Sequence, residues 1–264
     1  MTFNKKKITT ILIILSFALG YAQKKVVLDN FYNNEFNSIT GKPYHYLWED
    51  TEQSGFSKFG ELFRNQAAII STLKEKPTAL NLKDANVYII VDPDTKLETT
   101  HPHFMNSAEA EVISKWVQQG GVLLLLTNDI NHCELDSFNI LAAKFGLQFG
   151  KEMLHAEHSE AGKPRNFDSC ASINLPKHPL FKGISKIFLK EIAPINCVLP
   201  AKPLLVENGK VIIAESFPAK GYVLAVGDPW FYNEYIDHLL LPQDFQNLAT
   251  AKNLVKLLLN YKSH

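Results

Sequence analysis

Three short runs of apolar residues without polar alternation constrain the fold of this chain most strongly. They cover residues 86–91, 122–126 and 222–226. A strand that is apolar on both faces is buried on both faces, which is typical of parallel sheets covered by helices. Helical patterns occupy the segments between the first two runs and after the second. The sequence therefore predicts an α/β fold with a doubly wound, mostly parallel sheet.

The rest of the chain extends this pattern within a single domain. A first strand is expected at residues 26–31 and a short one near 69–70, with a helix between them whose apolar face contains Phe56, Phe59, Leu62 and Phe63. Ser107 is the expected N-cap of a second helix that stops at Gly120. Further elements are expected as a helix at 135–145, strands at 173–175, 187–189 and 211–214, and a closing helix at 245–261. Residues 23–264 are predicted to form one domain, because no repeat or low-complexity linker divides them.

The first 22 residues have the pattern of a secretory signal peptide. Lys5, Lys6 and Lys7 precede an apolar run from Ile8 to Leu19, and small residues follow before Gln23. A run of about 12 residues is shorter than the roughly 20 that a transmembrane helix needs. An uncleaved membrane anchor is the alternative interpretation. We expect export to a periplasm or to the medium, with no stable membrane insertion after cleavage.

Charge and cysteine content exclude several classes of function. The chain has 27 Lys and Arg against 27 Asp and Glu, so a nucleic-acid partner is not expected. Cys133, Cys170 and Cys197 lack metal-ligand spacing and are expected to be buried free thiols. No dinucleotide, phosphate-loop or serine-hydrolase motif occurs, and no cofactor is expected. Acidic residues could ligate a divalent ion, but no spacing specifies a metal site.

Polar side chains follow the carboxyl ends of the predicted strands. In an open parallel sheet, ligands bind outside these ends. The residues in question are Asn33 and Glu35 after the first strand, Asp92 and Asp94 after the third, Asn128, Asp129 and His132 after the fourth, and Asp228, Trp230, Tyr232, Asn233 and Glu234 after the last. They predict one polar pocket, although any single aspartate could instead be an N-cap or a turn former.

Two tryptophans and one loop indicate an acidic sugar as the ligand. Trp48, beside Glu49, and Trp230 each stand among acids, amides and tyrosines, and an aromatic face in such surroundings can stack on a sugar ring. A tryptophan at the edge of the core is the alternative. The loop from Lys151 to Ser172 carries His155, His158 and Arg165, and Arg165 could bind a carboxylate or sulfate in bidentate fashion. A solvated surface loop is equally compatible with that segment.

Longer motifs carry a resemblance to known families. The pattern of strands is similar to class I glutamine amidotransferase-like domains, but Thr127-Asn128-Asp129 stands where those enzymes place their nucleophilic cysteine. A closer likeness covers nearly the whole chain after the leader. It resembles the accessory domain found with unsaturated rhamnogalacturonyl hydrolases of Bacteroidetes, and its stand-alone form resembles the oligosaccharide dehydratase of ulvan breakdown. The motifs are Leu28-Asp29, residues 32–35, 48–50, 54–57 and 89–95, Val226-Gly227-Asp228-Pro229-Trp230, and residues 232–235.

The resemblance implies a lyase that removes water from a non-reducing-end uronic acid and leaves a 4,5-unsaturated sugar. Such a reaction needs a base for the C5 proton, an acid for the 4-hydroxyl, and a group that neutralises the carboxylate. The candidate bases are His45, His132, His155 and His158, and the base is expected among His45, His155 and His158; Tyr46 or Tyr232 could be the acid, and Arg165 could hold the carboxylate. Asp129, Asp228 and Glu234 are expected to orient hydroxyls.

Two alternatives remain open from the sequence. A non-catalytic carbohydrate-binding or accessory domain would use the same Trp48 and Trp230 platform and would not need the histidines. A hydrolase built on paired carboxylates is the weaker alternative, because nothing in the sequence fixes two acids at a known separation.

Overall fold

The computed structural model describes residues 23–156, 165–236 and 240–262. The predicted signal peptide and His158 lie outside these ranges. The strands in the described residues are β1 (Lys25–Asp29), β2 (Ile69–Leu73), β3 (Val87–Val91), β4 (Val122–Leu126), β5 (Leu147–Phe149), β6 (Ala171–Ser172), β7 (Ile187–Phe188), β8 (Ile195–Cys197), β9 (Ala201–Glu207), β10 (Lys210–Ser216) and β11 (Tyr222–Val226).

Five of these strands form a parallel sheet in the order β2-β1-β3-β4-β11. Every residue of β3, β4 and β11 is buried, as their unbroken apolar runs predict. The strand order reverses between β1 and β3, and the carboxyl ends of the parallel strands share one edge of the sheet. That edge is where this type of sheet opens a crevice for ligands.

Antiparallel strands extend the sheet beyond β11. Strand β10 pairs antiparallel with β11, and β8, β9 and β5 continue from it. The sheet is therefore parallel in its central part and antiparallel at this side, a mixture that the sequence pattern alone does not indicate. The strand expected at residues 173–175 is absent. The chain pairs one step earlier, in the small β6-β7 ladder, and Ile173 is exposed.

Helices cover both faces of the sheet. The α-helices in the described residues are α1 (Ser57–Arg64), α2 (Ala79–Leu82), α3 (Ser107–Gln118), α4 (Leu135–Ala142), α5 (Asn233–Ile236) and α6 (Asn247–Asn260), and 3-10 turns cover Ala143–Phe145, Phe167–Cys170 and Pro179–Phe181. Helices α1 and α6 bury Phe59, Phe63 and Leu254 in the core on one face. Helices α3 and α4 bury Ile113 and Phe138 in the core on the other. These two layers confirm an α/β fold.

The N-cap of α3 lies one residue earlier than the sequence predicts. Asn106, rather than Ser107, is the N-cap of α3, because its side chain accepts hydrogen bonds from the backbone N–H groups of Ala108 and Glu109. The three cysteines are thiols, with Cys133 and Cys170 buried and Cys197 half-buried. Among the described residues, the helices are all too short or too polar to cross a bilayer.

Candidate functional site

The turn after β1 folds back over the end of β3 and begins the site. Asp29 Oδ1 accepts hydrogen bonds from the backbone N–H groups of Phe31 and Tyr32 at 3.0 and 2.8 Å, and Tyr88 Oη donates to Asp29 Oδ2 at 2.5 Å. Burial raises the pKa of Asp29 to about 6, although these hydrogen bonds oppose the shift. The turn brings Asn33 to the end of β3, where Asn33 Nδ2 donates to the Asp92 carbonyl at 3.0 Å.

Glu35, Asp94 and Glu98 form an acidic cluster between this turn and the loop after β3. One carboxylate oxygen from each lies within 4.8 Å of those of the others. The backbone N–H of Asn34 donates to Asp94 Oδ2 at 2.6 Å, and Thr95 donates its N–H and its hydroxyl to Glu98 Oε2 at 2.8 Å. The backbone of both loops therefore holds the acids close together.

The acids of this region carry raised pKa values. Burial and the nearby charge of Glu98 raise the pKa of Glu35 to about 7, while His132 opposes the shift. Burial, with the neighbouring carboxylates, raises the pKa of Asp94 to about 8. Burial and the same like charges hold the pKa of Asp92 well above its usual range. Burial and mutual repulsion thus disfavour the ionised forms of these neighbouring acids.

Asp129 and His132 form a hydrogen-bonded dyad after β4. Asp129 is fully buried, and its Oδ2 lies 2.6 Å from His132 Nδ1. Because an ionised carboxylate can only accept, Nδ1 carries the hydrogen and Nε2 is the basic nitrogen. The side chain of His132 is 53% exposed. Partial burial alone would lower the pKa of His132, but the hydrogen bond and charge of Asp129 outweigh it, and the pKa is raised.

His45 and Tyr46 are adjacent residues in the left-handed region, with φ of 64° and 48°. The Asp50 carboxylate accepts from the His45 N–H at 3.1 Å and holds this turn. His45 Nε2 lies 3.8 Å from Glu35 Oε2. Burial lowers the pKa of His45, although Asp50 opposes the shift. Consecutive residues in this strained region occur where the surrounding structure fixes them, often at functional sites.

The end of β11 adds a buried acid and a row of tyrosines. Asp228 accepts from the backbone N–H groups of Trp230 and Lys190 at 2.8 and 2.7 Å, and burial raises its pKa to about 7. The Tyr232 ring lies between those of Tyr46 and Tyr235, with centroid distances of 5.8 and 4.6 Å. Burial and the charge of Asp228 hold the pKa of Tyr232 well above its usual range, so its hydroxyl stays protonated.

Cationic side chains gather at the Tyr235 end of this row. Arg165 Nη2 donates to Tyr235 Oη at 2.6 Å, and Lys190 Nζ lies 5.9 Å from the Tyr235 ring centroid. Lys190 also pairs with Glu191 at 3.0 Å. The polar edge of the sheet therefore has an acidic end near Glu35 and a cationic end near Arg165.

The structure brings most of the predicted polar residues to this edge, which we call the rim. Direct contacts join neighbours: Asn128 Nδ2 donates to Asp92 Oδ2 at 3.4 Å, next to the Asp129 dyad. The other residues are close enough to interact through their charges. Asp92, Asp228 and Glu35, which follow three different strands, all raise the pKa of Tyr46. The predicted residues on the rim are Asn33, Glu35, His45, Asp92, Asn128, Asp129, His132, Asp228 and Tyr232.

Neither predicted tryptophan can stack on a sugar. Trp48 is 2% exposed, packs with the phenylalanines of α1, and donates its indole N–H to the Ser71 carbonyl at 3.1 Å. Trp230 is fully buried and stacks on Phe231 at 4.1 Å. The prediction of an aromatic platform is wrong, because both side chains belong to the core although their chain neighbours are polar.

Asn233 is a structural residue rather than a sugar ligand. It is buried, and its Nδ2 donates to the carbonyls of Asp50 and Glu52 and to Ser57 Oγ, while its Oδ1 accepts from the Lys58 N–H. These bonds use its hydrogen-bonding groups to hold the 50–57 loop against α5.

His155 is likewise engaged within the protein. Its Nε2 lies 2.9 Å from Glu207 Oε2, and its Nδ1 lies 3.1 Å from the Leu189 carbonyl, so neither nitrogen is available as a base. Glu49 lies in a neighbouring groove, and Glu234 lines a smaller pocket beside Gln53 and is hydrogen-bonded to Tyr235.

An open groove of about 1140 Å³ adjoins the acidic end of the rim. Its lining includes Asn30, Tyr44, Glu49 and Lys74. Tyr44 connects the groove to the rim, because burial together with the charges of Glu35, Glu98 and Asp94 raises its pKa. The groove is as large as the pockets that bind small organic ligands in other proteins.

Glu98, Lys190 and Glu191 are rim residues that the sequence interpretation missed. Glu98 stands seven residues beyond Val91, the last residue of β3, too far to be assigned to a strand end. Its signal was the spacing Thr95-x-x-Glu98, which is typical of a capping box. One capping-box bond is present, from the Thr95 N–H to Glu98 Oε2, and the Thr95 hydroxyl donates to the same oxygen. Lys190 and Glu191 follow the short strand β7 and have no comparable local signal.

Comparison with known proteins defines the class of fold. No protein-family model matches the chain, and no curated protein matches it. The chain is similar to the solved mmIFT52 N-terminal domain, with 15% identity and a TM-score of 0.64 over 91% of this chain and 100% of that one. A cytoplasmic protein from Salmonella typhimurium LT2 has 12% identity and a TM-score of 0.58 over the same shares. At these identities the likeness concerns the fold alone.

Proposed function

We propose that the rim is the active site of an oligosaccharide dehydratase, a carbon-oxygen lyase. The substrate would be the non-reducing-end uronic acid of ulvan-type oligosaccharides, and the product a 4,5-unsaturated uronate. The observation that carries this proposal is the Asp129-His132 dyad, a half-exposed imidazole oriented by a buried carboxylate at a strand end. That arrangement is the common one for a general base.

His132 is the base of the proposed reaction. Asp129 fixes the tautomer with the hydrogen on Nδ1, so Nε2 accepts the proton from C5 of the sugar. The raised pKa of His132 strengthens its imidazole as a base. The structure supports His132 over His155, whose two nitrogens are already engaged.

Tyr232 is the proposed acid, and the cationic end of the rim receives the carboxylate. The C5–H electron pair forms the C4=C5 double bond as the C4–O bond breaks, and the Tyr232 hydroxyl protonates the departing oxygen to give water. Solvent then carries the proton from His132 back to Tyr232. Arg165 and Lys190, both beside the Tyr235 ring, would neutralise the uronate carboxylate and favour charge build-up at C5.

The residues after β4 and the leader sequence support a proposal about the family and the location of this protein. We place the fold among class I glutamine amidotransferase-like domains that have lost the nucleophile, related to the accessory domains of unsaturated rhamnogalacturonyl hydrolases. Thr127-Asn128-Asp129 follows β4, at the place where the nucleophile would stand. Cys133 is not a substitute for it, because burial raises the pKa of its thiol. The leader sequence supports a periplasmic or secreted location. The buried Trp48 and Trp230 weigh against a non-catalytic carbohydrate-binding module.

The test is turnover of uronate-terminated ulvan oligosaccharides, followed by the ultraviolet absorbance of the conjugated product. His132→Ala should lower kcat by about 10²- to 10⁴-fold with KM little changed, since the base acts on the proton and not on binding. Asp129→Asn should also lower kcat, because it favours the wrong tautomer. His101→Ala, an exposed loop position, is the matched control and should match the parent.

The pH profile separates a base from a structural histidine. The rate should rise with pH as His132 loses its proton, with a midpoint above 6.5, and Asp129→Asn should move that midpoint down. Sugar binding without any new absorbance would refute the enzyme and favour a binding domain. Turnover that survives His132→Ala unchanged would refute the assignment of the base.

A further inference from the structure

Unpaired acceptor oxygens collect at the acidic end of the rim. Six buried side-chain polar atoms lack a hydrogen-bond partner in the part of the chain that the structure describes. Four of them are oxygens from one small region, namely Asn33 Oδ1, Asn34 Oδ1, Glu35 Oε2 and Asp92 Oδ1. Buried polar atoms are nearly always paired, so four unpaired acceptors in one region call for a hydrogen-bond donor or a cation.

These oxygens belong to residues in or next to the acidic cluster of Glu35, Asp94 and Glu98. Glu35 belongs to both sets, is 6% exposed, and its Oε2 lacks a hydrogen-bond partner. Asn34 is bonded to Asp94 through its backbone N–H, and Asp92 is close enough to feel the charges of Glu98 and Glu35. The unpaired atoms and the cluster are therefore one site.

The charges around the cluster do not balance. Among the described residues, the basic side chains that face it are the imidazoles of His45, with Nε2 3.8 Å from Glu35 Oε2, and of His132, which is already paired with Asp129. The acids that face it are Asp92 and Asp129, in addition to its own three carboxylates. Burying several ionised carboxylates together is unfavourable unless protons or a cation neutralise them.

We propose that Glu35, Asp94 and Glu98 hold a divalent calcium ion, with buried amide or carboxylate oxygens nearby completing its shell. Calcium binds oxygen ligands at about 2.3–2.6 Å, so ligands on opposite sides of the ion are about 4.8 Å apart. The three carboxylate oxygens meet that limit. An all-oxygen set of carboxylates and amides suits a hard cation better than zinc or copper.

The ion would join two loops that otherwise repel each other. Glu35 comes from the loop after β1, while Asp94 and Glu98 come from the loop after β3. These loops flank the point where the strand order reverses, so the ion would hold the acidic end of the rim in place. The site would bind calcium whether or not the rim is catalytic.

The experiment is calcium titration of the chelator-treated full protein by calorimetry, with calcium chloride alone and no sugar present. Thermal denaturation is measured in parallel. We expect one ion per chain and a higher melting temperature in the presence of calcium. Glu98→Gln and Asp94→Asn should each weaken binding by at least about tenfold, since each removes a charged ligand. Glu75→Gln, at an exposed position away from the cluster, is the control and should bind like the parent.

A second readout guards against a variant that simply misfolds. In chelator, Glu98→Gln should melt at or above the parent temperature, because it removes a like charge from the cluster. Absence of calcium binding to the parent at millimolar concentration would overturn the proposal, as would undiminished binding to both variants. Tighter binding of zinc or magnesium than of calcium would overturn the choice of ion. A failed dehydratase assay would leave these results unaffected.

Discussion

Asp228 makes the stability of this protein depend on pH in a direction opposite to most carboxylates. Its carboxyl group is 1% exposed at the end of β11, and burial raises its pKa from 3.8 to about 7. Between these two values the folded state holds the proton and the unfolded state has lost it. The folded protein therefore binds more protons, and its stability falls as pH rises from about 4 to about 7.

The magnitude follows from the size of the pKa shift. Each pH unit in that window removes about 1.4 kcal/mol, which gives about 4 kcal/mol over the three units of the Asp228 shift. Asp228→Asn removes the titration but keeps one acceptor oxygen. It places an amide N–H₂ against a backbone N–H, of either Lys190 or Trp230, at a constant cost of about 1–3 kcal/mol.

The assay is urea unfolding of the parent and Asp228→Asn at pH 4.5, 6, 7 and 8. The free energy of unfolding of the variant should be lower than that of the parent at pH 4.5 and equal to or higher than it at pH 8. The difference between the two proteins should change most between these two pH values. Other buried acids, such as Asp29, titrate in both proteins and cancel in the difference. A difference in unfolding free energy that stays constant across the series would refute a raised pKa for Asp228.

Three further predictions concern residues that hold the rim. Trp230→Ala should lower the unfolding free energy by about 3–5 kcal/mol in urea titration, and a stability close to that of the parent would contradict its core position. Asn233→Ala should cost about 3 kcal/mol in the same assay, because its partners in the 50–57 loop lose their hydrogen bonds; a loss below about 0.5 kcal/mol would argue against that role. Gly227→Ala should lower the melting temperature, since its new Cβ would lie 2.1 Å from the Ala193 carbonyl oxygen; an unchanged temperature would show that the contact relaxes freely.

The parallel part of the fold was predictable because its signal is local. An apolar run such as Val122–Leu126 can be buried on both faces only in a covered sheet, and the polar residues that follow it must emerge at the strand end. This is why Asp92, Asp129 and Asp228 were expected at one edge, where the structure has them. The antiparallel side was less predictable, since β8 pairs with β5 and β10 across long sequence separations.

The roles of individual side chains could not be predicted from their neighbours along the chain. Trp48 stands among polar residues, yet its ring packs on α1, and that contact depends on how a loop folds over a helix. Asn233 and His155 are polar residues in polar stretches, but their partners lie far away in sequence. Glu98 could be assigned to a turn from its spacing to Thr95. Its proximity to Glu35 depends on the fold and could not be predicted from that spacing.

The hydrogen bonds of two buried side chains, Asp228 and Asn233, fix some of the loops at the rim, whereas other loops are free to vary in sequence. Asp228 ties the 228–230 turn to Lys190, and Asn233 ties the 50–57 segment to α5. By contrast, residues 37–42 and 96–97 are mostly solvent-facing, with Ile39 and Leu97 about nine-tenths exposed. Insertions and substitutions there would alter which ligand is admitted while the proton-handling groups keep their places. A library aimed at new specificity should be built on those two stretches.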